Sequence, residues 1–309
     1  MKTMIEIKNL TKSFGSFLAV NRLNFEINKG EILGFLGPNG AGKTTTMRMI
    51  TGFIKPSYGE VIINGVNLKE KPEICKKFIG YVPEGSPLYQ EMTTLDFLKF
   101  VARIRNISRN KINYSIENVI KLLNLQNVLY KKIEGLSKGY KRRVGLAQSI
   151  IHDPEILILD EPTDGLDPNQ KSDVRKLIKK LGRDKAIIIS THILEEVNAL
   201  CNRAMIISNG KLLLDEKPKD ILKKSDTYNS VYLLVEEKSV SELKKEIIKN
   251  GISKDPTILN GFCVIRIRNN NNVKKKLDNF IKKKKYTVKH YEKAKGSLEE
   301  VFRRLTYNA

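Results

Sequence analysis

The sequence predicts an α/β fold built around a phosphate-binding loop, followed by a smaller α+β domain. Three observations predict it. Residues 37–45 read Gly37-Pro38-Asn39-Gly40-Ala41-Gly42-Lys43-Thr44-Thr45 directly after the apolar run Ile32-Leu33-Gly34-Phe35-Leu36. A second apolar run, Ile156-Leu157-Ile158-Leu159, ends in Asp160-Glu161. Beyond about residue 225, short strand and helix patterns follow one another in the order βαββαβ.

The chain is 309 residues long, more than one core usually organises, and two domains are expected, 1–225 and 226–309. Hydrophobic residues at 40% and charged residues at 29% are ordinary for a globular protein. No apolar stretch reaches the roughly 18 residues that span a bilayer, and the start Met1-Lys2-Thr3-Met4 lacks a signal-peptide core, so a soluble cytoplasmic chain is expected. Cys75, Cys201 and Cys263 have spacings of neither a zinc site nor a disulfide framework. The formal charge of +22 raises a nucleic-acid partner. Lysine dominates it, scattered as pairs and in the run Lys282–Lys285; such runs are more often solvated faces or attraction to anionic membrane, and no nucleic acid is expected.

In chain order, the first chemical element is the loop Gly37 to Thr45. Glycines let the backbone approach a polyphosphate closely, the bare N–H groups of the following helix favour the anion, Lys43 reaches the β/γ-phosphates and the Thr44 hydroxyl suits Mg2+. The segment Leu136-Ser137-Lys138-Gly139-Tyr140 opens the next helix of interest, with Ser137 as N-cap and Val144, Ala147, Ile150 and Ile151 at helical spacing. It reads either as an ordinary capped helix or as a second anion site, and a second anion site in one chain is most economically one that completes the site of another copy. The run 156–161 reads as a central parallel strand delivering its acids at the carboxyl edge of the sheet, where the phosphate loop also opens. There Asp160 holds Mg2+ opposite Thr44, and Glu161 orients and deprotonates the water that attacks a γ-phosphate.

The final third reads as a strand at Val231–Val235, an amphipathic helix at 239–249, strands at 256–259 and 262–267, a loop at 269–272, a helix at 273–283 and a strand at 286–291. Residues 226–309 carry 19 basic and 10 acidic residues, a net charge of +9, suited to a position near anionic lipid. The closing Gly296-Ser297-Leu298-Glu299-Glu300-Val301-Phe302 carries a Ser-x-x-Glu capping box and an apolar face, and is expected to dock back on the body.

Together the loop 37–45, LSKGY at 136–140, ILILDEPTDGLDP at 156–168 and Ile188-Ile189-Ser190-Thr191-His192 closely resemble the fingerprint of the nucleotide-binding subunit of ATP-binding-cassette (ABC) transporters, over residues 1 to about 220. The resemblance implies a mixed-sheet core with a helical subdomain, while the βαββαβ order beyond residue 225 suggests a small ferredoxin-like sandwich. It implies that Phe14 stacks on the adenine of ATP, although Phe17 lies nearby and a core aromatic is the alternative. His192 contacts the γ-phosphate and holds Glu161 and the water in register. Asp167 sits at the seam between two copies, and Ser137, Lys138 and Gly139 meet the γ-phosphate held by the opposite copy. Two departures from the family pattern stand out. Lys138 and Tyr140 occupy positions usually held by Gly and Gln, and Glu84, in Ile79-Gly80-Tyr81-Val82-Pro83-Glu84, stands where most members place a Gln that approaches Mg2+.

By this resemblance the chain is the ATP-hydrolysing subunit of an exporter, peripheral on the cytoplasmic face of the membrane. It pairs with a second copy around two ATP and with separate transmembrane permease subunits. A soluble cassette ATPase acting on ribosomes or nucleic acid is the alternative; such proteins usually carry two cassettes or a long coiled-coil insertion. A small-molecule kinase would use the loop but not the signature, Asp167 or His192.

Overall fold

The computed structural model describes residues 2–307 except Ser86, Glu236, Asp255, Asn260, Gly261, 266–270 and 285–287. The chain divides into two compact units, the first comprising residues up to Pro218 together with those from Thr306 onward, and the second spanning Lys219–Leu305.

In the first unit, β1 (Thr3–Phe14) and β2 (Phe17–Asn28) form a long hairpin. β3 (Ile32–Leu36) runs into the phosphate loop, and α1 (Lys43–Ile50) begins at its lysine. β4 (Tyr58–Ile63) and β5 (Val66–Asn67) complete an antiparallel sheet of order β2-β1-β4-β5. After α2 (Pro72–Phe78) and β6 (Ile79–Val82) come three helices, α3 (Thr94–Ile104), α4 (Arg109–Leu123) and α5 (Lys138–Ile150). Then follow β7 (Ile156–Asp160), α6 (Pro168–Leu181), β8 (Ala186–Thr191), α7 (Leu194–Leu200), β9 (Arg203–Ser208) and β10 (Lys211–Glu216). The second sheet has the order β10-β9-β3-β8-β7-β6, parallel throughout except for β10. The mixed α/β core with a helical subdomain is as expected.

Every residue of β3, β7 and β8 is buried, which is why these strands read as unbroken apolar runs rather than alternating ones. Alternate residues still face opposite ways. Leu157, Leu159, Ile187 and Ile189 join a core with Phe97, Val119 and Val144 of the three helices. Ile156, Ile158, Ile188, Leu33 and Phe35 join the other core with Met47 of α1 and Ile5 and Ile7 of β1. The continuous runs are therefore two period-2 patterns overlaid, one per layer.

The second unit takes in α8 (Pro218–Lys223) from Lys219 onward, β11 (Val231–Val235), α9 (Glu237–Lys249), β12 (Thr257–Leu259), β13 (Phe262–Ile265), α10 (Asn271–Lys284), β14 (Val288–Lys293) and α11 (Leu298–Tyr307) as far as Leu305. Its antiparallel sheet has the order β12-β13-β11-β14, the strand order of a split-βαβ, ferredoxin-like sandwich. Val231 and Leu233 of β11 pack with Val240, Leu243 and Ile247 of α9 and Leu277 and Phe280 of α10. Asn271 and Asn272 open α10 instead of lying in a loop, as asparagine is at home at the start of a helix. The expected strand ends at Arg266-Ile267 and at Tyr286-Thr287, and Asn269 of the expected loop, lie outside the described residues.

The expected capping box is only half formed. Ser297 Oγ accepts from Glu300 N at 3.3 Å, but the Glu300 carboxylate turns away from the helix start and accepts from Ser225 Oγ at 2.7 Å, Asp226 N at 2.6 Å and Thr227 Oγ1 at 3.0 Å. Ser297 N donates to Ser225 Oγ instead, at 3.1 Å. Burial tends to raise the Glu300 carboxyl, but these donors outweigh it and hold the group below its usual range. α11 is thus tied to the 225–227 turn of its own unit.

One buried group of the first unit makes a pH-dependent stability prediction. His152 Nε2 lies 3.2 Å from the Ile79 carbonyl, and Nδ1 has no hydrogen-bond partner among the described residues. Burial, aided by the Arg105 charge, pushes the imidazole down to about 4. In the unfolded chain histidine titrates near pH 6.5, so between about 6.5 and 4 the unfolded state binds the proton first. The stabilisation is therefore fully present above about pH 6.5 and is lost as pH falls toward 4, by about 3 kcal/mol at most. The His152→Gln variant is expected to lose this part of the acid destabilisation, read as a smaller fall in melting temperature than the parent shows between pH 7 and 4.

Candidate functional site

The loop between β3 and α1 is held open by glycines that cannot be replaced. A Cβ on Gly42, whose φ is +101°, would lie 2.5 Å from the Ala19 carbonyl, and one on Gly37 would lie 2.6 Å from the Ile207 carbonyl. The loop is thus wedged against β2 and β9. Lys43 is buried at 7% exposure, and its ammonium donates to the carbonyls of Gly37 at 2.8 Å and Pro38 at 3.1 Å. Burial pushes Lys43 below its ordinary value, against the opposing pull of Glu161, Asp160 and Glu84. The geometry thus brings Lys43, Asp160, Glu161 and Glu84 within electrostatic reach of one another. Pro38, Asn39, Gly40 and Ala41 form the turn, and Thr44 and Thr45 occupy the first turn of α1.

The carboxylates arrive at the carboxyl edge of the parallel sheet, as expected of β7. Asp160 is fully buried, and neither carboxylate oxygen has a hydrogen-bond partner among the described residues; Ser190 Oγ, in register with it on β8, is equally orphaned. Leaving a buried carboxylate bare is costly. Lys43 and Arg142 both lie within electrostatic reach of Asp160, Glu161 and Glu84, and Arg142 of Asp164 as well. A bare, oxygen-rich site of this kind fits a hard divalent cation.

Glu161 turns out of the strand in the left-handed region at φ +48°, a conformation that costs a non-glycine residue on the order of 1–2 kcal/mol and needs outside support. Its N–H donates to the Ser190 carbonyl at 3.0 Å, and its own carbonyl accepts from Asp164 N at 3.2 Å. The side chain then faces His192, whose Nδ1 lies 2.9 Å from Glu161 Oε1. An ionised carboxylate only accepts, so Nδ1 carries the hydrogen. The turn that presents His192 is fixed by Thr191, whose Oγ1 accepts from Ile193 N at 3.0 Å and donates to Glu196 Oε2 at 2.9 Å. Burial raises the Glu196 carboxyl above its usual range.

The second helix end is also built as expected. Ser137 caps α5, its Oγ accepting from Tyr140 N at 3.4 Å, with Lys138 and Gly139 in the first turn. Asp167 caps α6, accepting from Gln170 N at 3.0 Å, with Pro168 next. The two caps meet, because the Gln170 amide lies directly over Gly139, where any Cβ would collide with it. Among the described residues no hydrogen bond or ion pair links Ser137, Lys138 or Gly139 to the phosphate loop of the same chain. Phe14 ends β1, half exposed at 51%, with the Lys12 ammonium 5.1 Å from its ring centre. It is therefore not a core aromatic.

Sequence reasoning missed Arg142, which it does not single out from its neighbours Lys141 and Arg143. Its guanidinium is buried at 6% exposure and donates to the carbonyls of Asp160 and Pro162, both at 3.0 Å, and of Pro83 at 3.4 Å. The signal available was its position, one helical turn beyond Lys138 and on the same buried face as Leu146.

Comparison with known proteins places these motifs in company. The model of the family described as ABC transporter matches residues 20–164. The bacitracin transport ATP-binding protein BcrA of Bacillus licheniformis is 43% identical over 227 residues, 72% of each chain. An uncharacterized ABC transporter ATP-binding protein, YxlF of Bacillus subtilis, is 31% identical over 305 residues, covering 98% of this chain and 100% of that one. Among solved structures, the dimeric post-hydrolysis state of the ATP-binding cassette MJ0796, bound to ADP and Pi, superposes with a TM-score of 0.64 at 26% identity, over 70% of this chain and 99% of that one.

Proposed function

The chain belongs to the ATP-binding proteins of ABC transporters, and from that premise we propose that it is the ATP-hydrolysing subunit of an exporter, working as a pair around two ATP and driving separate transmembrane permease chains. The observation that carries the reading is convergence. Lys43, the bare Asp160 carboxylate and the Glu161–His192 pair meet at one sheet edge, while among the described residues the Ser137 end of α5 makes no hydrogen bond or ion pair to that loop. One pocket thus lacks its second wall, and a second copy supplies it. The MJ0796 cassette is itself a dimer.

In this reading the loop amides of Gly37 to Thr45 and the Lys43 ammonium bind the phosphates, and Phe14 stacks on the adenine. Thr44, Asp160 and, through water, Glu84 would hold Mg2+, which when bound neutralises charge on the β- and γ-phosphates. Glu161 takes the proton of the attacking water, and His192 fixes the Glu161 carboxylate and touches the γ-phosphate. Ser137, Lys138 and Gly139 of the opposite copy close over that phosphate, and Asp167 lies at the seam. Loss of the γ-phosphate contacts then releases the two copies, a switch by local electrostatics.

No helix among the described residues is long and apolar enough to cross a membrane. The reading places the chain as a peripheral subunit on the cytoplasmic face beside separate permease chains, and the likeness to ATP-binding proteins of transporters supports it. The lysine-rich second unit suits proximity to anionic lipid. An exporter role is supported by the likeness to the Nod factor export ATP-binding protein I of Rhizobium etli, 34% identical over 221 residues. The domain division proposed is 1–225 and 226–309.

A concentration series tests the composite pocket. Specific ATPase activity is expected to rise with protein concentration until the pair is saturated, and the chain is expected to co-purify with a polytopic membrane protein encoded beside it. Specific activity that stays flat down to fully monomeric concentrations would defeat the paired-site reading.

A further inference from the structure

The left-handed turn at Glu161 has a brace that comes from a distant element. Arg142 lies in the second turn of α5, the helix whose capped end carries Ser137 to Gly139. Its Nη2 donates to the Asp160 carbonyl and its Nε to the Pro162 carbonyl, each at 3.0 Å. Those are the carbonyls of the residues on either side of Glu161. A planar guanidinium with donors at fixed angles fixes the spacing and direction of two carbonyls at once, which a single point cation cannot do. Its Nη1 meets the Pro83 carbonyl at 3.4 Å, immediately before Glu84.

We propose that Arg142 is the positioning residue for the Glu161 carboxylate, holding it in attack geometry and linking it to the helix that senses the opposite copy's nucleotide and to the Glu84 loop. The inference rests on Glu161 being the base proposed above. Free of such a clamp, the strained turn at φ +48° has every reason to relax toward extended or right-handed backbone, which would swing the side chain away from His192. Movement of α5, when the opposite copy's phosphate is gripped, would be transmitted to the base through a rigid, desolvated contact only one side chain long. The cation survives its burial because Asp164, Asp160, Glu161 and Glu84 surround it.

The test is the pair Arg142→Lys and Arg142→Met in the full chain, with ATP affinity measured by fluorescent-analogue titration and turnover by phosphate release. The proposal expects affinity within about two-fold of the parent in both, because Lys43 and the loop are untouched. It expects kcat to fall about 100-fold in Arg142→Met, the loss an ångström of misplacement can cause, and about 10-fold in Arg142→Lys, which satisfies one carbonyl at a time. It is overturned by a folded Arg142→Met with kcat within about two-fold of the parent, or by equal losses of affinity and turnover, the mark of general misfolding. Should Arg142→Met not fold, Arg142→Lys decides alone by the same split between affinity and turnover. Glu161→Gln run beside them separates the premises: inactive Glu161→Gln with fully active Arg142 variants sinks the clamp only, whereas active Glu161→Gln sinks the base assignment itself.

Discussion

Glu161→Gln is expected to lower steady-state ATP hydrolysis by about 10^3-fold while leaving nucleotide binding intact, the scale expected of a lost general base. The substitution is nearly isosteric. The backbone bonds that hold the left-handed turn, from Ser190, Asp164 and Arg142, do not involve the side chain and persist. The amide oxygen still accepts from His192 Nδ1 across the 2.9 Å contact, so His192 keeps its place. What disappears is only the capacity to take a proton. Lys43 and the loop still bind ATP, the opposite copy's α5 still closes over it, and the complex is expected to persist as a nucleotide-bound dimer on size exclusion. Near-normal phosphate release from this variant would falsify the role of Glu161, since among the described residues no other carboxylate is hydrogen-bonded to a histidine at that sheet edge.

That assignment was legible from the sequence because it rests on local signals. An apolar run that stops at two acids must be a buried strand presenting its polar end, and a glycine-rich turn before a lysine must open a helix, so both features land on the same sheet edge without knowledge of the strand order. The strap from Arg142 was not legible. Nothing local distinguishes Arg142 from Lys141 or Arg143 beside it. Its role depends on α5 crossing the ends of β6 and β7, a long-range fact that helical periodicity cannot supply. The collision of Gln170 with Gly139 was hidden for the same reason: Gly139 reads as a phosphate-facing glycine, yet in the chain itself its missing Cβ also makes room for the amide of α6. The capping box failed in a different way. Ser297-x-x-Glu300 is a local rule, but the Ser225–Thr227 turn offered Glu300 three donors, more than the helix start could offer, and tertiary contact won. In the second unit the order of elements was readable from alternation, whereas the pairing of β11 between β13 and β14 was set by which faces α9 and α10 cover.

Lys43→Ala should do what Glu161→Gln cannot, removing ATP binding itself by about 10^2- to 10^3-fold, the worth of a few charge-assisted contacts to phosphate at about 1.5–3 kcal/mol each. In the chain alone the Lys43 ammonium is lodged on the carbonyls of Gly37 and Pro38, which keeps the loop curled around the place where phosphate oxygens must sit. Its truncation removes both the cation and that internal strut and leaves Asp160, Glu161 and Glu84 with one positive charge fewer beside them, so the pocket becomes less hospitable to an anion on both counts. Because a ligand that binds only the folded state raises stability by about 2.7 kcal/mol at a hundred times its Kd, the parent and Glu161→Gln should both melt several degrees higher in saturating ATP, while Lys43→Ala should show no shift at the same concentration. The thermal shift therefore separates capture from chemistry without any turnover measurement. If Lys43→Ala keeps the full shift, ATP is held somewhere other than the β3–α1 loop, and every role assigned along that sheet edge falls with it.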